Sequence, residues 1–206
     1  MRSTRIYRLF ALSAALCVIS FAAAAQQQAL QQAPLQDLPP LQRPLLGPEY
    51  TRLAFLVGAW EEAITYPGAQ MATGTGRWIA RPVLGDFLMI NYEGRGPQGP
   101  YRAQGVLTYD RELKLYRMWW FDDTGGIGDY RGIFVDMNTL VLEHQAKKDG
   151  RDFRERITYV RVAPGEVRTK IEQAWDAEEY KTSLEAVARR GPGAMGGPGR
   201  GPRPPN

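Results

Sequence analysis

The chain holds one imidazole, one thiol and four serine hydroxyls: His144, Cys17, and Ser3, Ser13, Ser20 and Ser183. That stock excludes a disulfide scaffold, a zinc site of Cys and His, and a cysteine nucleophile. Ser183 falls between Thr182 and Leu184 in a strand-like run, not on a strand-to-helix elbow, so a G-x-S-x-G hydrolase is excluded as well. Glu61/Glu62 and Glu178/Glu179 put neighbouring carboxylates on opposite faces or in turns, and no acid pair is set across a cleft as glycoside hydrolysis requires. Asp122, Asp123 and Asp129 flank a Gly-rich turn, but their spacing is not that of a calcium loop. No catalytic residue and no metal site is expected.

Binding chemistry is better represented. In Leu140-Val141-Leu142-Glu143-His144, period-2 alternation puts His144 on the face of Leu140 and Leu142. If that face is inward, the imidazole enters an interior where it can ligate a haem iron or accept a proton, or it forms a plain hydrogen bond at the rim. Arg117 shares a face with Leu115, Trp119 and Phe121, which would let it hold a ligand carboxylate or pair with Glu155. Glu155 itself alternates with Phe153, Ile157 and Tyr159. Gln173 and Trp175, on the face of Val167, Thr169 and Ile171, add a polar point and a stacking surface. The expected ligand-binding set is therefore Arg117, Trp119, His144, Tyr159, Gln173 and Trp175.

These residues lie in a series of short runs rich in β-branched and aromatic side chains, each bounded by turn residues. The runs are 59–66, 72–81, 87–93, 101–109, 115–121, 129–135, 139–145, 153–162, 166–175 and 181–189. Before them, Pro48 and Glu49 suit a first helical turn, Tyr50, Leu53, Ala54 and Leu56 share a face, and Gly58 ends the segment. Ten strands joined by short turns form an antiparallel meander. Closing it into an up-and-down barrel removes both edges and buries the apolar face, with the helix as lid or plug. Charged residues alternating with apolar ones, as in Lys170-Ile171-Glu172, argue against a barrel whose outer face meets lipid.

The flanks have other work. Residues 1–25 read as a secretory signal: Arg2, Arg5 and Arg8, an apolar stretch over 9–22, then Ala22 to Ala25 before Gln26. Residues 26–46 carry seven Gln and four Pro and read as an extended linker. The domain occupies 47–189. Residues 190–206 form a tail in which eleven of the last sixteen are Gly or Pro, too poor in apolar side chains to build a core. The net charge of +4 belongs to these ends, since 46–188 holds 18 basic against 21 acidic residues. A basic nucleic-acid-binding face is not expected.

The order of several short motifs is itself informative. Leu56-Val57-Gly58-Ala59-Trp60-Glu61 resembles the opening of calycin-type barrels, where G-x-W leads the first strand. Gly76-Arg77-Trp78-Ile79, Gly85-Asp86-Phe87-Leu88, Asn91-Tyr92-Glu93-Gly94, Gly105 to Asp110, Tyr116 and Trp119 to Asp122 continue the likeness over residues 53–188. Together they resemble a bacterial family of calycin-like domains of unknown function. The resemblance implies a small ten-stranded barrel and no particular chemistry. It also implies that Gly58 and Trp60 are marks of the fold, with Trp60 closing one end against Arg189 or Arg190 of the last strand. More distant barrels of this kind include lipocalins, fatty-acid-binding proteins and haem-binding nitrobindin-like proteins, so the resemblance points to a small apolar ligand inside. A side-chain-filled interaction module and an enzyme of unknown reaction are the alternatives. A cavity of a few hundred cubic ångströms separates the first from the second, and a perturbed ionisable group facing it would favour the third.

Overall fold

The computed structural model describes residues 47–68 and 71–191. The signal, the linker and nearly all of the tail read from the sequence lie outside the described residues. One helical turn, α1 (Pro48–Arg52), runs into a 3-10 turn (Leu53–Leu56). Ten strands follow: β1 (Gly58–Tyr66), β2 (Ala72–Val83), β3 (Phe87–Gly96), β4 (Gly99–Asp110) and β5 (Leu115–Asp122). The second half is β6 (Ile127–Phe134), β7 (Thr139–Lys148), β8 (Arg151–Ala163), β9 (Glu166–Trp175) and β10 (Lys181–Arg190). Each strand pairs antiparallel with its chain neighbour and β10 returns to β1, giving the closed up-and-down barrel expected from the meander. All ten runs read from the sequence become strands, most of them a few residues longer than the sequence indicates.

Tight hairpins make this order possible. At the β7–β8 turn, Asp149 and Gly150 both have positive φ (51° and 79°), the twist that suits a two-residue connection between right-twisted strands. Trp60 and Arg190 are cross-strand partners where β1 and β10 close the sheet.

One end of the barrel is filled. Leu53 and Leu56 descend into it and are almost wholly buried, against Leu88, Leu107, Met118, Leu140 and Val167. Polar contacts tie the plug to the rim: the Tyr50 hydroxyl donates to the Phe87 carbonyl (3.0 Å), Arg52 to the Asp136 carbonyl (2.7 Å) and the Tyr116 hydroxyl to the Glu49 carbonyl (2.9 Å). Trp60 lies beneath, stacked on Trp78 with ring centroids 5.1 Å apart, and its indole N–H donates to the Leu56 carbonyl (2.9 Å).

The guanidinium over the Trp60 ring belongs to Arg190, 4.7 Å from the ring. Of the two candidates Arg189 and Arg190, Arg189, the one marked for the fold, points to the other face and pairs with Glu166 at 3.1 Å. The choice of Arg190 over Arg189 follows from parity: Trp60 faces inward, and so does its direct partner Arg190. Gly58 is needed here for two reasons. Its φ is +133°, and a Cβ would stand 2.5 Å from the Arg190 guanidinium.

Removing the Trp60 ring leaves a large void under the plug. Trp60→Ala is expected to lose about 3–5 kcal/mol of stability. Arg189→Ala, which breaks only an exposed ion pair, is expected to lose no more than about 1 kcal/mol. Urea denaturation of the two variants checks this contrast.

Candidate functional site

At the end of the barrel away from the plug the interior is hollow, with a cavity of about 690 Å³. Its room comes from a repeated local solution. Inward positions on β2 and β3 are glycines, Gly74, Gly76, Gly94 and Gly96, and aromatic side chains lie over them. A Cβ on Gly94 would stand 2.8 Å from the Tyr92 ring, and one on Gly96 2.6 Å from the Tyr66 hydroxyl. Trp120 has a glycine on each side, and the ring over Gly128 is that of Tyr130. The register partners of Trp120 are Gly105 on β4 and Gly128 on β6, and its ring covers Gly105.

Three carboxylates line this space: Glu62, Glu155 and, at the mouth, Asp122. Glu62 on β1 sits over its partner Gly76, where an added Cβ would meet a Glu62 carboxylate oxygen at 2.9 Å and the Tyr92 hydroxyl at 2.5 Å. The Trp78 indole and the Tyr92 hydroxyl are the donors against it. Glu155 on β8 accepts a short hydrogen bond from the Tyr130 hydroxyl and another from the Gln173 amide at 2.6 Å. Tyr159 lies near both acids. Burial first, then the charges of Glu62 and Glu155, push its phenol well above the usual range. At the mouth Tyr101 accepts from the Trp120 indole (2.9 Å) and donates to Asp122 (3.3 Å), and burial raises its phenol to about 12.

His144, Tyr159 and Gln173 of the expected set line the cavity. The His144 Nδ1 meets the Asp129 carbonyl at 3.0 Å, and its ring lies 5.1 Å from that of Tyr130. Trp175 has the inward parity but stays at the rim, packed on Phe153 with Arg151 over its ring, and does not line the cavity. Arg117 and Trp119 are on the outside. Arg117 makes a two-pronged ion pair with Asp129 (3.0 and 2.9 Å) and lies 4.7 Å from the Trp119 ring. The inward residues of β5 are instead Tyr116, Met118, Trp120 and Asp122.

The physical reason for this reversal is that β5 carries large side chains on both faces, so its alternation does not mark an inside. The missed signal is in the neighbouring strands. Only Trp120 stands between two glycines, and only on that face is there room for an indole. Glu62 escaped notice for a related reason: an acid is not expected on a core face unless the glycine opposite it is noticed.

Among the described residues no group of three or more His, Cys, Asp or Glu could hold a metal ion, and no helix is long and apolar enough to cross a membrane. What the hollow end offers is aromatic surface, three carboxyls, one imidazole and a free threonine hydroxyl. Thr169 is 8% exposed, lines the cavity, and its Oγ1 has no hydrogen-bond partner. Chemically this set can bind a donor, or exchange a proton near neutrality through Glu62.

The fold and the hollow end define a plugged ten-stranded barrel with a ligand-sized cavity. The chain belongs to the family described as "Protein of unknown function (DUF1579)", whose model matches residues 46–190. No curated protein matches it. The crystal structure of Rv2717c from M. tuberculosis is similar over 71% of this chain and 99% of that one, with a TM-score of 0.54 and 15% identity, a likeness of fold. An S-type phycobiliprotein lyase, CPES from Guillardia theta, gives a TM-score of 0.46 at 14% identity over 69% and 90% of the two chains. The barrel EF1p2_mFAP2b bound to DFHBI gives 0.41 at 14% identity over 69% and 99%.

Glu62 makes stability depend on pH in a defined direction. Burial pushes its carboxyl up from 4.5 to about 7, against the smaller opposing effect of the Trp78 and Tyr92 hydrogen bonds. The folded protein therefore binds this proton more tightly than the unfolded chain does. The stabilisation is complete below about pH 4.5 and is lost as the pH rises through 7, about 3 kcal/mol in total. Glu62→Gln is expected to remove this slope and to be the more stable protein at pH 8. Urea denaturation from pH 4 to pH 8 measures it, and an equal slope in the variant would count against the assignment.

Proposed function

We propose that this protein carries a small, largely apolar molecule in the hollow end of its barrel, as a calycin-like binding protein acting in the exported compartment that residues 1–25 predict. The cavity carries this reading. Its roughly 690 Å³ falls within the range of small-molecule sites, about 300–1,000 Å³, and aromatic and aliphatic groups make up most of its wall, with polar side chains set among them. A barrel serving only as an interaction module has no need of such a space. Side chains could fill it at no cost in polar burial, and the glycines at 74, 76, 94 and 96 hold it open. Burial of the ligand's apolar surface supplies affinity at about 25 cal/mol per Å² before the costs of association.

Native mass spectrometry of the full exported protein tests the proposal. A reproducible added mass that disappears on denaturation supports it. Ile171→Trp, which puts an indole into the cavity wall, is expected to weaken binding of an apolar fluorescent probe by tenfold or more. Arg117→Ala is expected to leave that binding unchanged, since its guanidinium is on the outer face. A clean apo mass together with failure to bind fatty acids, haem and apolar probes would overturn the carrier reading.

A second reading, haem on His144, is favoured by one observation. The Nδ1 of His144 lies 3.0 Å from the Asp129 carbonyl and 3.3 Å from its N–H, and the tautomer that donates to the carbonyl leaves Nε2 for a ligand in the way typical of metal-bound histidines. Titration with haemin separates the two. A shifted Soret band that is lost in His144→Ala supports haem, and no shift removes it.

A further inference from the structure

The charges of the barrel are sorted by face, and the sorting indicates what kind of molecule the cavity takes. On the outer face, acids and bases neutralise one another: Arg117 with Asp129, Arg156 with Glu143, and Lys170 with Glu172. Inside, Glu62 and Glu155 are met by neutral donors only, and neither has a Lys or Arg within ion-pair distance among the described residues. Two cationic residues line the cavity at its mouth, Arg95 and Lys148, and the Lys148 ammonium is engaged 3.6 Å from the Phe153 ring. A buried carboxylate without a cation costs several kcal/mol, a cost that a bound counter-ion removes.

A second observation is independent of the acids. The Thr169 hydroxyl lines the same cavity, is more than nine-tenths buried, and has no partner in the protein. Its cross-strand neighbour is Tyr159, whose phenol makes no hydrogen bond among the described residues. A group that both donates hydrogen bonds and carries positive charge would answer all of these at once, and the rings of Tyr92, Trp120 and Tyr130 would attract it further through their π faces.

We propose that the natural ligand is an organic ammonium, an apolar body bearing a protonated amine, with Glu62 as its counter-ion and Thr169 as a further hydrogen-bonding contact. This rests on the carrier reading and reverses the sign of ligand charge that an inward Arg117 would have implied. The titratable groups facing Glu62 are Tyr66 from β1, Tyr92 from β3 and Tyr159 from β8, with Glu155 beyond Tyr159. β2 presents Gly76 and Trp78, and β10 presents Ala186 and Ala188. His144 of β7 lines the same cavity.

Calorimetric titration of the full protein with decylamine, decanol and decanoate, each below its micelle concentration, separates the possibilities. At pH 8 the ammonium is expected to bind at least tenfold tighter than the alcohol, and the carboxylate weakest. In wild-type protein the ammonium's advantage is expected to shrink by tenfold or more at pH 5, where the empty cavity holds Glu62 protonated. Glu62→Gln is expected to abolish the advantage while leaving decanol binding in place, which also shows that the variant is folded. Thr169→Val is expected to weaken the ammonium severalfold. Decanol binding with no preference for the ammonium, a preference for decanoate, or an advantage that survives both pH 5 and Glu62→Gln would overturn the ammonium proposal alone. Failure of all three probes to bind would overturn the carrier reading with it.

Discussion

A closed barrel must share one lumen among all of its inward side chains, and here that volume constraint is met by setting glycine opposite bulk. Trp120 points inward between Gly105 and Gly128, Tyr92 spreads over Gly94, and Tyr66 lies over Gly96. Each pairing lets a large ring lie along the wall instead of crossing the centre. At the plugged end the opposite arrangement holds. Leu53, Leu56, Trp60, Leu88, Leu107 and Leu140 fill the lumen as one buried cluster. The barrel is therefore built as two halves in series, a filled end that supplies stability and a hollow end relieved of that task.

The same division governs electrostatics. Where an acid and a base meet on the outer surface, water screens both, and the pairs contribute little beyond solubility and register. Inside the hollow end, the low-dielectric surroundings turn a single carboxylate into a strong preference. Tyr130 and Gln173 satisfy Glu155 as neutral donors, and Trp78 and Tyr92 do as much for Glu62. Donors of this kind hold a carboxylate in place without cancelling its charge. Burial then raises Glu62 towards neutrality because no cation offsets the loss of water.

Much of the fold was legible along the chain. Ten alternating runs, the short turns between them and a helical segment ending at Gly58 indicated a closed meander, because strand periodicity and turn chemistry are local properties. Some inward residues were legible for the same reason: His144, Tyr159 and Gln173 sit in strands whose two faces differ plainly in polarity. Arg117 and Trp119 were misplaced because β5 has no such difference, and a shift of one residue reverses every side chain of a strand. Glu62 was passed over because its environment is made by β2, β3 and β8, none of them adjacent to it in the chain except β2.

By itself, then, the sequence determined the number and order of strands, the plug, and the glycine–tryptophan mark at the start of β1, all of which depend on residues within a few positions of one another. Only the tertiary structure decided which face of β5 is inside, that Arg190 and not Arg189 covers Trp60, and that the inward acids Glu62 and Glu155 meet neutral donors. Those outcomes turn on cross-strand register and on the volume left by glycines across the barrel. Such quantities exist only once the sheet has closed.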